Sequence, residues 1–236
     1  MFGLVGTFVN VATVLAGGAI GLACKKGIPE RLNDSVFKAL GLITMFIGIS
    51  GCLCGENTLV AVIAMILGTI VGELLDIDKR INNVGKFIEC KVSKGDENST
   101  VAQGFISSSL LFCVGAMTIV GSLQAGLSGD CSVLFTKSAM DFCSSIIFAS
   151  TLGVGVLFSA IFVLAYQGLI TMLATWLAPF LTDAVVNEMS CVGYVIIIGL
   201  ALNILGITKI KVMNMVPAIF LPIALVPLYN VIVGLF

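Results

Sequence analysis

Histidine does not occur in this chain. Its absence removes Ser-His-Asp and Cys-His catalysis, HExxH zinc centres, histidine proton relays and histidine-ligated haem. Charge is also scarce. Only 11 % of the 236 residues are Asp, Glu, Lys or Arg, against about 25 % in an ordinary soluble domain. Twelve basic and thirteen acidic residues leave a net charge of −1, so nothing in the charge balance would recruit nucleic acid. No GxxxxGK[ST] stretch is present, which excludes ATP hydrolysis by a phosphate-binding loop. No stretch is long enough for a separate soluble domain. An enzyme is therefore not expected, and no cofactor is implied.

What the chain has instead is apolar length. Hydrophobic residues make up 58 % of it and the mean hydropathy is +1.15. So little charge could not cover a folded surface in water, so lipid is the expected solvent and the bilayer the first partner. A spanning helix needs about 20 mostly apolar residues. Eight windows fit or nearly fit: 2–24, 37–54, 58–77, 104–126, 133–151, 154–175, 189–207 and 213–235. The fifth carries Lys137 and Asp141 inside it. The first starts at the initiator Met without a basic n-region or small-residue cleavage site, so it is expected to be a retained helix.

Basic residues set the expected orientation. Lys25, Lys26, Arg31 and Lys38 lie between the first two windows, Lys79, Arg80, Lys86, Lys91 and Lys94 after the third, and Lys209 and Lys211 before the last. With those loops inside, eleven of the twelve basic residues are cytoplasmic, and the opposite loops carry only Glu56, Asp130, Asp183 and Glu188. Both termini are then outside. The expected architecture is an all-α polytopic transmembrane helix bundle of about eight spans, forming one integral membrane domain over 1–236. Its first half is about 1–77, its second about 104–236, and a polar connector of about 78–103 joins them. Within the connector, 78–91 reads either as an amphipathic surface helix, with Ile81, Val84, Phe87 and Ile88 towards lipid, or as a plain solvated link. The eight cysteines form no CxxC pair and read as small apolar helix residues. A disulfide among Cys52, Cys54 and Cys131, placed near one face by this topology, is the alternative.

Two stretches resemble each other. Val9-Asn10-Val11-Ala12-Thr13 to Gly21-Leu22 aligns without gaps with Val114-Gly115-Ala116-Met117-Thr118 to Gly126-Leu127. Each is followed by a polar loop and a span with a Lys at its start, Lys38 or Lys137. A three-span unit has odd parity, so its copy is inverted in the membrane, with two further helices left over. Inverted repeats are frequent in secondary transporters.

Polar groups within apolar spans are expensive and usually face a cavity or a partner. Lys137 and Asp141, four apart, share one helix face. They read as a structural ion pair or as part of a solute or ion site. Glu73 follows the GxxxG of Gly68 and Gly72, which permits close backbone approach. Asn10, Gln124, Gln167 and Asn203 are amides able to tie helices together or coordinate a polar solute. Asn214 and Pro217 open the last span, and Pro222 and Pro227 interrupt it. Gly17-Gly18 and Gly153-Val154-Gly155 favour tight packing or a hinge.

The run Gly115-Ala116-Met117-Thr118-Ile119-Val120-Gly121-Ser122-Leu123-Gln124-Ala125-Gly126-Leu127-Ser128-Gly129-Asp130 resembles a bacterial membrane family known as domain of unknown function 554. The likeness continues through Lys137-Ser138, Asp141, Phe148 to Gly153, Tyr166-Gln167-Gly168, Glu188-Met189, Asn203 and Asn214 to Ala218, and includes Gly6 to Asn10. It covers essentially the whole chain. An Asp often follows the Gln of the GSLQ stretch in that family, and here the position is Ala125. If that acid binds a cation in relatives, this chain lacks one ligand. The resemblance implies a bacterial cytoplasmic (inner) membrane location and weight on the Gln124 to Asp141 region, and carries no catalytic assignment. More loosely, the three-span inverted unit with Asp141, Ser144 and Ser145 on one helix is similar to small exporters of the lysine-exporter type, an analogy of fold.

The functional expectation is a small, ATP-independent secondary transporter or exporter of a solute or ion. Asn10, Gln124, Lys137, Asp141, Gln167 and Asn203 would converge on its site, with Asn214 at the broken last span. Asp141 would take the coupling proton or cation and the amides the solute. A passive channel, built as a homo-oligomer, and a non-transporting scaffold or regulator are the alternatives.

Overall fold

The computed structural model describes residues 3–25, 30–81, 83, 101–113 and 116–233, and among them there is no strand. The long helices are α1 (Leu4–Lys25), α2 (Glu30–Cys52), α3 (Thr58–Leu75), α4 (Val101–Cys113), α5 (Ala116–Ser128), α6 (Ser132–Leu152), α7 (Gly155–Met172), α8 (Asp183–Ile204) and α9 (Pro222–Val233). A 3-10 helix, Val212–Phe220, precedes α9. Each of the eight expected windows carries helix. By length and composition, α1, α3, α6, α7 and α8 qualify as spans, and the α4–α5 and 3-10–α9 pairs raise the number from five to seven if each bent pair is one span. The apolar part of α2, Lys38–Cys52, is shorter.

Two helices start earlier than expected, α2 at Glu30 and α8 at Asp183. Asp183 and Glu188 lie within α8 rather than in the preceding loop. Thr182 caps that helix by accepting the Val185 N–H on its hydroxyl, and Asp183 sits in the first turn, where an acid is favoured. Most of the amphipathic stretch expected over 78–91 lies outside the described residues. Cys52, Cys54 and Cys131 carry free thiols.

The chain divides into two compact units that interleave along the sequence. The first comprises Met1–Leu40, Lys79–Cys113 and Met117–Thr175; the second comprises Gly41–Asp78, Val114–Ala116 and Trp176–Phe236. In the first, α1 and α6 run parallel in close contact. Gly6 faces Leu134, Gly17 faces Phe142 and Ser145, and Gly21 faces Ile146 and Ala149. A Cβ at Gly17 or Gly21 would strike the α6 backbone, so small residues are what allow the approach. Helix α7 runs parallel to the α4–α5 pair, with Gly155 against Val101 and Gly126 against Thr171. Val14, Phe112, Phe148, Leu152, Val156 and Val163 fill the centre of this unit.

In the second unit the later half of α2 runs antiparallel to α8, Gly41 meeting Ile204 and Leu205, and Gly51 meeting Tyr194. Helix α3 runs antiparallel to the 3-10 segment. Gly68 and Gly72, the expected close-approach pair, lie against the backbone of Ala218 and Asn214.

Two bends interrupt the helices. The α4–α5 pair turns by 60° and the 3-10–α9 pair by 49°. At the first, the Thr118 hydroxyl donates to the Phe112 carbonyl at 3.2 Å, a bond from one side of the bend to the other. At the second, Pro217 and Pro222 supply no N–H, and the chain tightens to 3-10 bonding, with Leu221 N donating to the Ala218 carbonyl.

Large apolar side chains stand on the outside, among them Phe46, Leu74, Ile161 and Met172, while polar ones are enclosed. That inverted surface is what lipid requires. Gly72→Val should lower the stability of the detergent-purified chain by about 1–3 kcal/mol, the usual range for overpacking. Gly168→Ala, with nothing within 4 Å of the new Cβ, should leave it unchanged or higher. Thermal unfolding of the two variants checks the order.

Candidate functional site

Helix α6 carries a buried ion pair. Lys137 and Asp141 stand one turn apart, each 6 % exposed, and the Lys137 ammonium donates to Asp141 Oδ2 at 2.6 Å. Asn10 of α1, wholly buried, donates its Nδ2 hydrogen to the same oxygen at 3.0 Å. The sequence makes this contact through the glycines: with Gly6 and Gly17 flanking Asn10 on the face towards α6, a short amide reaches the carboxylate. Cys113, where α4 ends at the bend, lies within the electrostatic reach of both Lys137 and Asp141. The ion pair therefore sits near the interruption of the α4–α5 pair.

A lone carboxylate or ammonium here would carry a desolvation cost of several kcal/mol. Together they cancel in charge, and Asn10 adds a third member. The polar atoms around them are less complete. Some buried hydroxyls in this unit donate back to their own helix, as Ser138 does to Leu134, Ser145 to Phe142 and Ser159 to Val156. In contrast, Asn10 Oδ1, both amide atoms of Gln167, and the hydroxyls of Thr7, Ser107, Ser109, Ser122 and Thr171 have no hydrogen-bond partner among the described residues. Each unmet group costs about 1–3 kcal/mol when buried. The interior of the first unit thus retains both donors and acceptors for water, an ion or a polar solute.

The seven residues expected to form a site are placed unequally. Asn10, Lys137 and Asp141 are bonded to one another, and Gln167 is wholly buried in the same unit. Gln124 has an exposed side chain. Asn203 belongs to the second unit and braces the turn after α8, donating to the Ile210 carbonyl at 2.7 Å and accepting from Ile210 N and the Thr208 hydroxyl at 2.8 Å. Asn214, also in the second unit, accepts the Asp78 N–H at 2.6 Å. Glu73 pairs with Lys211 at 3.3 Å, both about half exposed.

The five hydroxyls of Thr7, Ser107, Ser109, Ser122 and Thr171 were not among the expected site residues. Thr7 stands one turn from Asn10 on α1, and Thr171 one turn from Gln167 on α7. Two polar side chains three or four apart in an apolar helix were the available signal.

Lys137→Met or Asp141→Leu alone should cost about 3–5 kcal/mol by stranding the other charge. The double variant should recover most of that loss. A double-mutant cycle from thermal unfolding checks it.

A family model described as "Protein of unknown function (DUF554)" matches residues 5–227. The chain is 30 % identical over 222 residues to the uncharacterized membrane protein YdfK of Bacillus subtilis, covering 92 % of this chain and 93 % of that one. It is also 30 % identical over 225 residues to the uncharacterized protein YqgA of Escherichia coli, covering 94 % and 96 %. No solved structure matches it. Alignment from near the first residue to near the last places the chain in the DUF554 family of membrane proteins.

Proposed function

We propose that the chain is a small, ATP-independent secondary transporter or exporter of a solute or ion, and not an enzyme. The observation that carries this reading is the buried Lys137–Asp141–Asn10 cluster in a unit whose interior leaves Gln167 and several hydroxyls without a hydrogen-bond partner among the described residues. A purely structural ion pair gains from full satisfaction of its surroundings. An interior with spare donors and acceptors suits a guest that comes and goes.

In the mechanism proposed, Asp141 is the exchangeable group. Its Oδ2 is shared by Lys137 and Asn10. A proton or cation arriving at the carboxylate would release the Lys137 ammonium, which could then hold an anionic portion of the solute, with Gln167 orienting its neutral part. Lys137 thereby keeps the empty site neutral, which lowers the cost of reorienting it across the bilayer.

Packing directions support the eight-span topology behind this reading. Spans one and five would run the same way, and α1 and α6 are parallel. Spans three and eight would run oppositely, and α3 and the 3-10 segment are antiparallel. The Lys211–Glu73 pair joins the loop before the last span to the end of the third, where both would be cytoplasmic. Interrupted helices often line transport sites, and each bend here lies in a span of a different unit. The inverted repeat, both termini outside and the bacterial inner membrane remain parts of this proposal.

Proteoliposomes holding the purified chain should take up one member of a panel of cations and amino acids under a proton or cation gradient. Asp141→Asn should reduce the initial rate at least tenfold. Uptake that survives Asp141→Asn, or no uptake of any panel member with folded protein, sinks the reading.

A further inference from the structure

The second unit holds a buried carboxylate with a different kind of partner. Glu188, on the second turn of α8, is 3 % exposed. Its Oε1 accepts two backbone N–H groups at the start of α3, from Glu56 at 2.7 Å and Asn57 at 2.6 Å. Asn57 is the N-cap of that helix, so the carboxylate also faces the positive end of the α3 dipole. Its other oxygen, Oε2, has no hydrogen-bond partner among the described residues.

Glu188 lines a cavity of about 550 Å³, within the roughly 300–1,000 Å³ usual for small-molecule sites. The rest of the wall is mainly apolar, with Ala61, Val62, Met65, Ile66 and Val195. Gly55 keeps the approach open: a Cβ there would lie 3.4 Å from Glu188 Oε2 and 2.7 Å from Cys191 Sγ.

This chemistry selects a ligand. The two amides engage Oε1 without supplying a counter-charge, so Oε2 calls for a positively charged donor. The cavity is far larger than a metal ion, and among the described residues no three His, Cys, Asp or Glu side chains are grouped to hold one. The apolar wall asks for an apolar body. We infer that the Glu188 cavity is a binding site for an amphiphilic primary ammonium, the charged head on Glu188 Oε2 and the apolar body along α3 and α8. The site is separate from Asp141 and does not depend on the carrier reading. Such an ammonium could come from a free amine or from an aminophospholipid headgroup.

The test is calorimetric titration of the full chain in uncharged detergent with 2-phenylethylammonium, using 2-phenylethanol as the neutral analogue. Saturable binding of the cation and none of the alcohol is expected. Glu188→Gln keeps an oxygen for the Glu56 and Asn57 amides while removing the charge, and should weaken binding at least tenfold. Ala61→Phe fills the cavity without touching Glu188 and should do the same, and Gly168→Ala, in the other unit, should bind like the parent. Adding phosphatidylethanolamine to the micelles should shift the isotherm to higher concentration if the headgroup is the natural source, and leave it in place if a free amine is. Equal affinity for the alcohol, unchanged binding by Glu188→Gln or Ala61→Phe, or no saturable binding by folded parent protein overturns the inference. Tight zinc binding that excludes the amine would also overturn it, because the thiols rather than the apolar wall would then define the site.

Discussion

Asp141 Oδ2 is the atom on which the first unit depends. It receives both the Lys137 ammonium and the Asn10 amide, and so links the ion pair on α6 to α1. Without Lys137 the carboxylate would be an uncompensated charge among apolar helices. Without Asn10 the pair would be tied to one helix alone. The close parallel packing of α1 on α6 is the condition for this contact, and glycines at 6, 17 and 21 are the condition for that packing. A sequence poor in charge has concentrated what it has: two ions and an amide meet in the buried interior of this unit.

The same economy governs the backbone. Inside a membrane each N–H and C=O must find a partner within the protein, so a bent helix has to answer for the groups it frees. At the first bend the Thr118 hydroxyl bonds the Phe112 carbonyl from the other side. At the second, prolines remove the donors and 3-10 bonding takes up part of the remainder. The GxxxG of α3 lies against this second irregular stretch. A glycine surface there accepts a backbone whose pitch differs from an α-helix, whereas interlocking side chains would require regular ridges.

Much of this was legible before any coordinates. Apolar length gave the helices, since lipid leaves few other solutions. The Lys137–Asp141 pair followed from spacing four, and the close contact at Gly68 and Gly72 from the motif. Two kinds of feature escaped. Gln124, Asn203 and Asn214 share a residue class with Gln167, yet one is exposed, one braces a turn, one accepts a main-chain N–H from the stretch after α3, and one is buried with no partner among the described residues. Amide chemistry is identical in all four, and only the packing of neighbouring helices assigns the role. Glu188 was misplaced for another reason. An acid at the edge of an apolar window looks like the start of a loop, but a helix N-terminus elsewhere in the chain can hold it. That pairing is made across 131 and 132 residues, beyond the reach of any local pattern.

Asp141 and Glu188 show two ways to keep a carboxylate inside an apolar protein, with different consequences for a guest. Asp141 is neutralised by a side chain. A cation approaching it must compete with Lys137, whose long stem can swing away, so occupancy of the site is coupled to movement of a charge. Glu188 is held by main-chain amides, which cannot leave without unwinding the start of α3. A cation approaching its free oxygen displaces nothing. The first arrangement suits exchange, because binding and release each rearrange a partner. The second suits retention, because the carboxylate is already in position and its charge is only partly met. A chain with a net charge of −1 thus separates a movable compensation from a fixed one, and assigns each to its own unit.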